Sequence, residues 1–459
     1  MIFNLRNEKT DKSQGFILFQ LYSYCFDCLV LEYRSAELYD RIAQFIGDIR
    51  KIHSRKQDAS YRKQSRKQLS EKFKDTLTRE YASSKKFRVC NINCKYQVCP
   101  TYAPIFVVPK DVSDATIRHA TKYRARGRLP TLSHQYSNGA SIFRSSQPLV
   151  GLPRNRSIQD ERLLEAMRLT APRRELIVAD ARSRASAMAN AFNGAGSMLT
   201  SHYIGCEQVY LSMDNIHSVR ASWAKIYHLM SEGVPLRAAK MEAGWIGHYE
   251  RLMEGVKSIT GWIKNDHYSV LVHCSDGWDR TAQLVSLVQI CLYPEARTID
   301  GLIWLIQKEW LSAGHQFELR HAYHSSLNSL SLDISSSTTA SISRVFDKFK
   351  DSLDDKAYSD PRDEFCPIFP QFLDAMLQLM RVYPNSFEFN QALIDSLWKE
   401  TFIFETNTFR GNCEKDRDAS DDVSCFWSLV DERRHSYTNP SFVPQNEELS
   451  INADVLCYL

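Results

Sequence analysis

The residues His273-Cys274-Ser275-Asp276-Gly277-Trp278-Asp279-Arg280-Thr281 gather a thiol, two carboxylates, a guanidinium and a hydroxyl into one short stretch. The thiol of Cys274 stands six positions before the guanidinium of Arg280, the spacing of a thiol-dependent phosphatase. A phosphate monoester is anionic, and the unpaired N–H groups and dipole of a helix N-terminus attract anions. Successive N–H groups between Cys274 and Arg280 can converge on one phosphate. Gly277 permits a backbone turn that other residues resist, and the planar fork of Arg280 can hold two phosphate oxygens. Below the phosphorus, Cys274 is expected to act as a thiolate, favoured by the helix end and by Arg280. Its attack gives a phosphocysteine that water then hydrolyses. The hydroxyl of Thr281 is placed to bond that sulfur. Metal is unnecessary for this chemistry, and no cofactor is called for.

Asp276 and Asp279 stand inside a loop built for an anion, where two ionised carboxylates would repel it. Nothing structural calls for them, so a function is the simpler account. One can protonate the leaving oxygen, because the phosphate and its neighbours would raise its pKa. Asp279, beside Arg280, is favoured for this role, with Asp276 as the alternative.

Two elements must position the loop. Ser269-Val270-Leu271-Val272 reads as a buried strand before it, and Ala282 to Leu292 as a helix after it. An isolated cysteine–arginine match arises by chance, and a lone cysteine after a strand is usually just a small buried residue. Here strand, glycine, hydroxyl and helix accompany the pair.

The chain has 459 residues, enough for one large domain or two modest ones. No apolar run approaches the ~18 residues of a membrane span. Early charges (Arg6, Glu8, Lys9, Asp11, Lys12) argue against a signal peptide. A cytoplasmic protein with peripheral membrane contact is the expectation. The 12 cysteines are scattered and read as reduced, mostly buried thiols. Cys25 and Cys28 form a lone C-x2-C, and Cys90, Cys94 and Cys99 a loose cluster, with poor spacing for zinc. The net charge of +4 is mild, but basic residues dominate from Lys51 to Arg88. That stretch reads as a solvated linker; attraction to an anionic membrane is the functional alternative. No aromatic interleaving supports nucleic-acid binding.

Along the chain, Gly15 to Ser23 and Asp27 to Tyr33 read as strands, and Ser35 to Lys51 as an amphipathic helix. Strands at Ile105 to Pro109, Leu176 to Asp180 and Val209 to Met213 alternate with helices at Glu161 to Leu169, Arg220 to Met230 and Leu302 to Trp310, as in an α/β domain. His324 to Arg344 is rich in Ser and Thr and reads as a surface loop. Helices return at Phe369 to Met380 and Gln391 to Phe404.

At this point a family resemblance is visible. HCSDGWDRTAQL (His273 to Leu284) resembles the signature loop of the myotubularin lipid phosphatases. RARGRLPTLSH (Arg124 to His134), SQPLVGL (Ser146 to Leu152), LIVADAR (Leu176 to Arg182), AMAN (Ala187 to Asn190) and DNIH (Asp214 to His217) resemble that family in the same order. KEWLSAGH (Lys308 to His315), NSFEFN (Asn385 to Asn390), GNCEKDR (Gly411 to Arg417) and NPSF (Asn439 to Phe442) continue it. The resemblance implies a thiol-phosphatase α/β fold with a central mixed sheet flanked by helices. It implies a domain over 87–442 with an insertion at 321–363, a basic linker at 53–86 and a C-terminal tail at 443–459. Residues 1–52 resemble the end of a PH-like (GRAM) domain whose first strands are missing.

The resemblance further implies removal of the 3-phosphate from phosphatidylinositol 3-phosphate, and often from the 3,5-bisphosphate, on endosomal-type membranes. It places the general acid in the loop at Asp279. It gives substrate contacts to Asn190, Asn215, Ile216, the loop residues Ser275, Asp276, Gly277, Trp278, Asp279, Arg280 and Thr281, and Arg320, which would meet a phosphate elsewhere on the ring. A homo- or hetero-oligomer with related proteins is also implied as a partner. Two departures stand out. Gln316 replaces the basic residue that the family usually places four positions before Arg320, which weakens the case for a 5-phosphate. Ala191-Phe192-Asn193-Gly194-Ala195-Gly196 departs from the family's more basic version. The alternatives are a phosphotyrosine phosphatase, which shares the cysteine–arginine chemistry, and a phosphoinositide-binding scaffold of low activity.

Overall fold

The computed structural model describes residues 2–8, 16–22, 28–33, 66–321, 364–420, 424–444 and 447–451. At the N-terminus β1 (Ile2–Glu8), β2 (Phe16–Tyr22) and β3 (Cys28–Tyr33) form an antiparallel sheet in that order. The sequence reading found the second and third of these strands and missed the first. The helix expected over 35–51 and the Ser-rich segment 322–363 lie outside the described residues.

Two hairpin-like strands, β4 (Phe87–Cys90) and β5 (Phe106–Pro109), precede the main sheet. That sheet contains β6 (Thr131–Gln135), β7 (Ser141–Ser145), β8 (Leu176–Asp180), β9 (Cys206–Tyr210) and β10 (Ser269–His273), in the order β6-β7-β10-β8-β9. β6 runs antiparallel to β7, and the remaining pairs are parallel, so the sheet is mixed. The strand expected at Val209 to Met213 is displaced to Cys206–Tyr210, because Ser212 takes a left-handed φ of 56° that ends extended pairing.

Alternation of side chains by two places the strands between two apolar layers. Ile142, Ile177, Ala179, Val270 and Val272 enter one core, packed by the helices Ile216–Ser231, Trp245–Lys264, Arg280–Leu292 and Ile368–Val382. Phe143, Leu176, Val178 and Leu271 enter the other, with the helix Ile158–Thr170 and the helix Arg66–Ala82. The latter overturns the reading of 53–86 as linker over much of its length. Phe73, Leu77 and Tyr81 recur every four residues, share one face, and are buried. Part of the stretch beyond 442 is likewise docked. Leu449 and Ile451 are buried, and Leu449 N–H donates to Cys291 O (2.8 Å). Among the described residues, no helix is long and apolar enough to cross a membrane.

Candidate active site

β10 lies at the centre of the sheet, and Cys274 follows directly at its carboxyl end, where open α/β sheets gather their ligands. The helix Arg280–Leu292 starts six residues on and is buried along its whole length, so the loop is fixed at both ends. Its carbonyls all face outward to protein donors. Ser275 O accepts from Gln147 N–H (3.0 Å). Asp276 O accepts from Arg128 Nε (2.6 Å), and Gly277 O from Arg128 Nη2 (3.1 Å) and Arg144 Nη2 (2.7 Å). Trp278 O meets His315 Nδ1 at 2.9 Å. With the carbonyls tied back, the N–H groups are left facing inward. Gly277 N–H donates to Cys274 Sγ at 3.2 Å. Among the described residues, the N–H groups of Ser275, Asp276, Trp278 and Asp279 have no protein acceptor. That is an anion cradle of backbone dipoles above a sulfur.

Gly277 is required by contact as well as by conformation. Its φ is +78°, and a Cβ there would lie 2.3 Å from Ser145 O. Arg128 packs over the rings of Tyr102 and Trp278 at 4.1 and 5.3 Å, which holds the indole against the loop. Arg144 is anchored from behind by Glu309 (2.8 Å), whose other oxygen takes Ser133 Oγ (2.6 Å) and Gln289 Nε2 (3.1 Å). Glu309 sits in a π-helical turn, Gln307–Leu311, that follows the helix Ile299–Ile306. Burial would raise its carboxyl, but Lys308 and Arg144 outweigh that and hold it down at about 2.

Arg280 is 8 % exposed, and its Nη1 donates to Met213 O and Asp214 O, both at 3.3 Å. This fastens the next stretch, Asn215 and Ile216, beside the loop. Asp214 is itself held by His248 Nδ1 (2.6 Å) and Arg251 Nε (2.9 Å). Asn215 caps the helix Ile216–Ser231, its Oδ1 accepting from Ser218 N–H (2.9 Å). The thiol of Cys366 donates to Ile216 O (3.2 Å). Asn190 lies further out, with Nδ2 donating to Ser186 O (2.7 Å) at the end of the helix Arg184–Ala189. Both asparagine side chains thus have local helix-end partners. Thr281 Oγ1 is buried without a protein partner, so the expected bond to Cys274 is not formed in this state.

The two aspartates differ from expectation. Asp279 is 6 % exposed and receives Arg320 through Nε (3.2 Å) and Nη2 (2.9 Å), with His315 Nδ1 at 3.1 Å from Oδ1. Burial alone would raise its carboxyl, but Arg320 and His315 prevail and hold it far below the usual carboxylate range. The rise expected of Asp279 beside a bound phosphate is thus opposed by Arg320 and His315. Arg320 is not available for a ring phosphate as placed, because its Nη1 is also taken by Glu364 O (3.0 Å) and Oε2 (2.6 Å). Asp276 is the more open acid, 29 % exposed, paired with Arg126 Nε at 3.1 Å. Gln316, where the resemblance expects a cation, is partly exposed.

Sequence reasoning assigned no role to Arg128, Arg144, Gln147, Glu309 or His315, which bind or brace the loop carbonyls. Each lies in or beside a motif already noted, so the motifs marked them without giving their task.

Comparisons with known proteins identify relatives of the chain. A family model described as the myotubularin-like phosphatase domain matches residues 48–418. The chain is 34 % identical over 368 residues to the phosphatidylinositol-3,5-bisphosphate 3-phosphatase MTMR8 of Homo sapiens, covering 78 % of this chain and 47 % of that protein. It is 33 % identical over 413 residues to the phosphatidylinositol-3-phosphatase myotubularin-1 of Arabidopsis thaliana, covering 79 % and 49 %. It is 31 % identical over 425 residues to the phosphoinositide 3-phosphatase of Saccharomyces cerevisiae, covering 78 % and 61 %. The match spans about half the length of the first two of these relatives. Because the family model takes in most of the sequence, around a mixed sheet that ends in a cysteine–arginine loop, the chain belongs to the myotubularin-like phosphatase family.

Proposed function

We propose that the protein removes the 3-phosphate of phosphatidylinositol 3-phosphate through a phosphocysteine at Cys274. The observation that carries this reading is the loop whose carbonyls are all bonded outward, leaving backbone N–H groups over the sulfur. Cys274 attacks phosphorus, the bond from phosphorus to the ring oxygen breaks, and that oxygen takes a proton. Water then attacks the phosphocysteine, the S–P bond breaks, and phosphate leaves. The N–H groups of Ser275, Asp276, Trp278 and Asp279 and the guanidinium of Arg280 stabilise the equatorial oxygens in both steps. Asp279, held as a carboxylate, accepts the proton of the attacking water. Asp276, the more open of the two acids, protonates the leaving oxygen. Arg320 acts by positioning Asp279. Asn190, Asn215 and Ile216 border the inositol ring, and Thr281 supports the sulfur.

The names of the relatives supply the substrate class, and two of them name the 3-phosphate of phosphatidylinositol or its 3,5-bisphosphate. Gln316 points to the monophosphate as the preferred lipid. In the same reading the protein works in the cytoplasm at endosomal-type membranes, alone or with related chains, and residues 1–52 are part of a PH-like domain.

Purified protein and Cys274→Ser would each be offered soluble phosphatidylinositol 3-phosphate, its 3,5-bisphosphate and a phosphotyrosine peptide. Release of phosphate from the monophosphate, fastest of the three and abolished by Cys274→Ser, is expected. No release from either lipid overturns the reading, and peptide turnover above lipid turnover assigns a phosphotyrosine phosphatase instead.

A further inference from the structure

Three large apolar side chains stand in solvent near the candidate site: Leu152 is 61 % exposed, Met188 61 % and Phe192 76 %. Met188 and Phe192 are four residues apart on one helical run, because the helix Arg184–Ala189 passes directly into the turn Asn190–Asn193. They therefore share a face. Leu152 joins them from a second loop. The N–H of the adjacent Gly151 donates to Ala195 O (2.8 Å), and a Cβ on Gly151 would lie 3.3 Å from Gly194 Cα.

This apolar group is seated on the catalytic loop. Gly196 N–H donates to Gln147 Oε1 (3.4 Å), and Gln147 N–H donates to Ser275 O (3.0 Å). Asn190, assigned above to the border of the inositol ring, lies between Met188 and Phe192 in the same run. The charge around the patch has one sign. Residues 148–159 and 183–197, which present it, contain Arg154, Arg156 and Arg184 and no Asp or Glu. Arg156 is paired with Glu161 (2.6 Å). Arg154 and Arg184 are exposed and, among the described residues, have no acidic partner. Apolar side chains beside unpaired cations next to an anion-binding loop match the boundary between anionic headgroups and acyl chains.

We infer that Leu152, Met188 and Phe192 form an anchor that enters the acyl edge of an anionic bilayer while the headgroup occupies the loop, with Arg154 and Arg184 against lipid phosphates. This deepens the proposed function and rests on it for its orientation. A headgroup still attached to its membrane brings the bilayer to this end of the sheet and to no other. Ile204, 85 % exposed, supplies the internal contrast. It precedes Gly205, whose carbonyl accepts from Leu176 N–H (3.0 Å) at the amino end of β8, so it stands at the opposite end of the sheet.

The test uses vesicles of phosphatidylcholine and phosphatidylserine without any 3-phosphoinositide, so that it runs independently of catalysis. The Met188→Ser/Phe192→Ser double variant should partition onto them roughly ten-fold less than wild type. Ile204→Ser should partition as wild type does. Phe192→Trp should show a blue-shifted emission on adding vesicles, read as the difference from wild type, and brominated acyl chains should quench it. On soluble short-chain phosphatidylinositol 3-phosphate the double variant should match wild type, while on vesicles containing the long-chain lipid it should fall behind. Unchanged partitioning, or no shift for Phe192→Trp, overturns the anchor. So does a shift that follows protein concentration without vesicles, which would mark a second copy as the occupant. Normal partitioning behaviour with no phosphate released by wild type would instead remove the proposed activity and leave the anchor.

Discussion

Arg320 grips both oxygens of Asp279, and His315 covers one of them, so the carboxyl begins the reaction without a proton. A carboxylate in that state is a proton acceptor. In the proposed reaction the step that needs an acceptor is the second, when water attacks the phosphocysteine. The first step needs a donor, and Asp276 is the other carboxyl of the loop and the more exposed one. The two substitutions should therefore fail differently. With Asp279→Asn, dephosphorylated lipid should appear as a burst of about one equivalent per enzyme, followed by turnover slowed roughly 10²-fold or more, with phosphocysteine trapped on acid quench. With Asp276→Asn, the first step should slow and the burst should vanish. Rapid-quench measurement of lipid and phosphate separates the cases. Loss of the burst in Asp279→Asn would return the acid to Asp279, as the sequence alone suggests.

The strand, the loop and the helix around Cys274 were legible in the sequence because each is local. An apolar run, a glycine and a second apolar run stand side by side, and their periods differ. Leu176 to Asp180 was read with its true bounds for the same reason. The brace behind the loop was not legible, since Arg128, Arg144 and Glu309 reach Gly277 or one another across more than a hundred residues of chain. Nor was the pairing of Asp279 with Arg320, which reverses the direction of a pKa that loop charges alone would raise. The basic stretch before residue 86 misled because its charges mask the four-residue repeat of Phe73, Leu77 and Tyr81. The brace is where an element-scale prediction belongs. Glu309 is fully buried and ties Arg144 to a π-helical turn. Glu309→Gln leaves the shape and removes the charge, so Arg144 and Lys308 lose their buried counter-ion. Stability should fall by roughly 3 kcal/mol in urea unfolding. Turnover should drop more than affinity for lipid, because Gly277 O is released and the N–H array that meets the transition state loses its aim. Equal changes in kcat and KM would argue that Glu309 serves stability alone.

At the scale of the whole molecule, the acid limit of stability follows from buried histidines. His273, His315 and His321 are fully buried. Burial lowers all three, taking His273 to about 4 and His321 to about 3 against the opposing pull of Asp180 on the former and the Phe317 carbonyl on the latter. An unfolded histidine titrates near 6.5. Between that value and the folded one the unfolded chain binds the extra proton, so stability is complete above about pH 6.5 and declines as the pH falls. His273 and His321 each contribute on the order of 3 kcal/mol or more across their windows, and a domain of ordinary stability has only about 5–15 kcal/mol in all. Asp180, Asp279 and Glu309 are shifted down as well, and their contribution is lost only when the pH falls below the unfolded carboxylate range, near 4. The decline should therefore begin with histidine, well before the carboxylates act. His321 offers a clean probe, since its ring stacks on Phe317 (5.8 Å) and meets Phe402 edge-on (5.0 Å), contacts a phenyl ring can keep. His321→Phe should reduce the slope of unfolding free energy against pH by about one proton between pH 6 and pH 4, leaving the neutral-pH value little changed. Urea midpoints of wild type and variant measured across that range decide it: parallel curves would mean that His321 is already protonated in the folded protein.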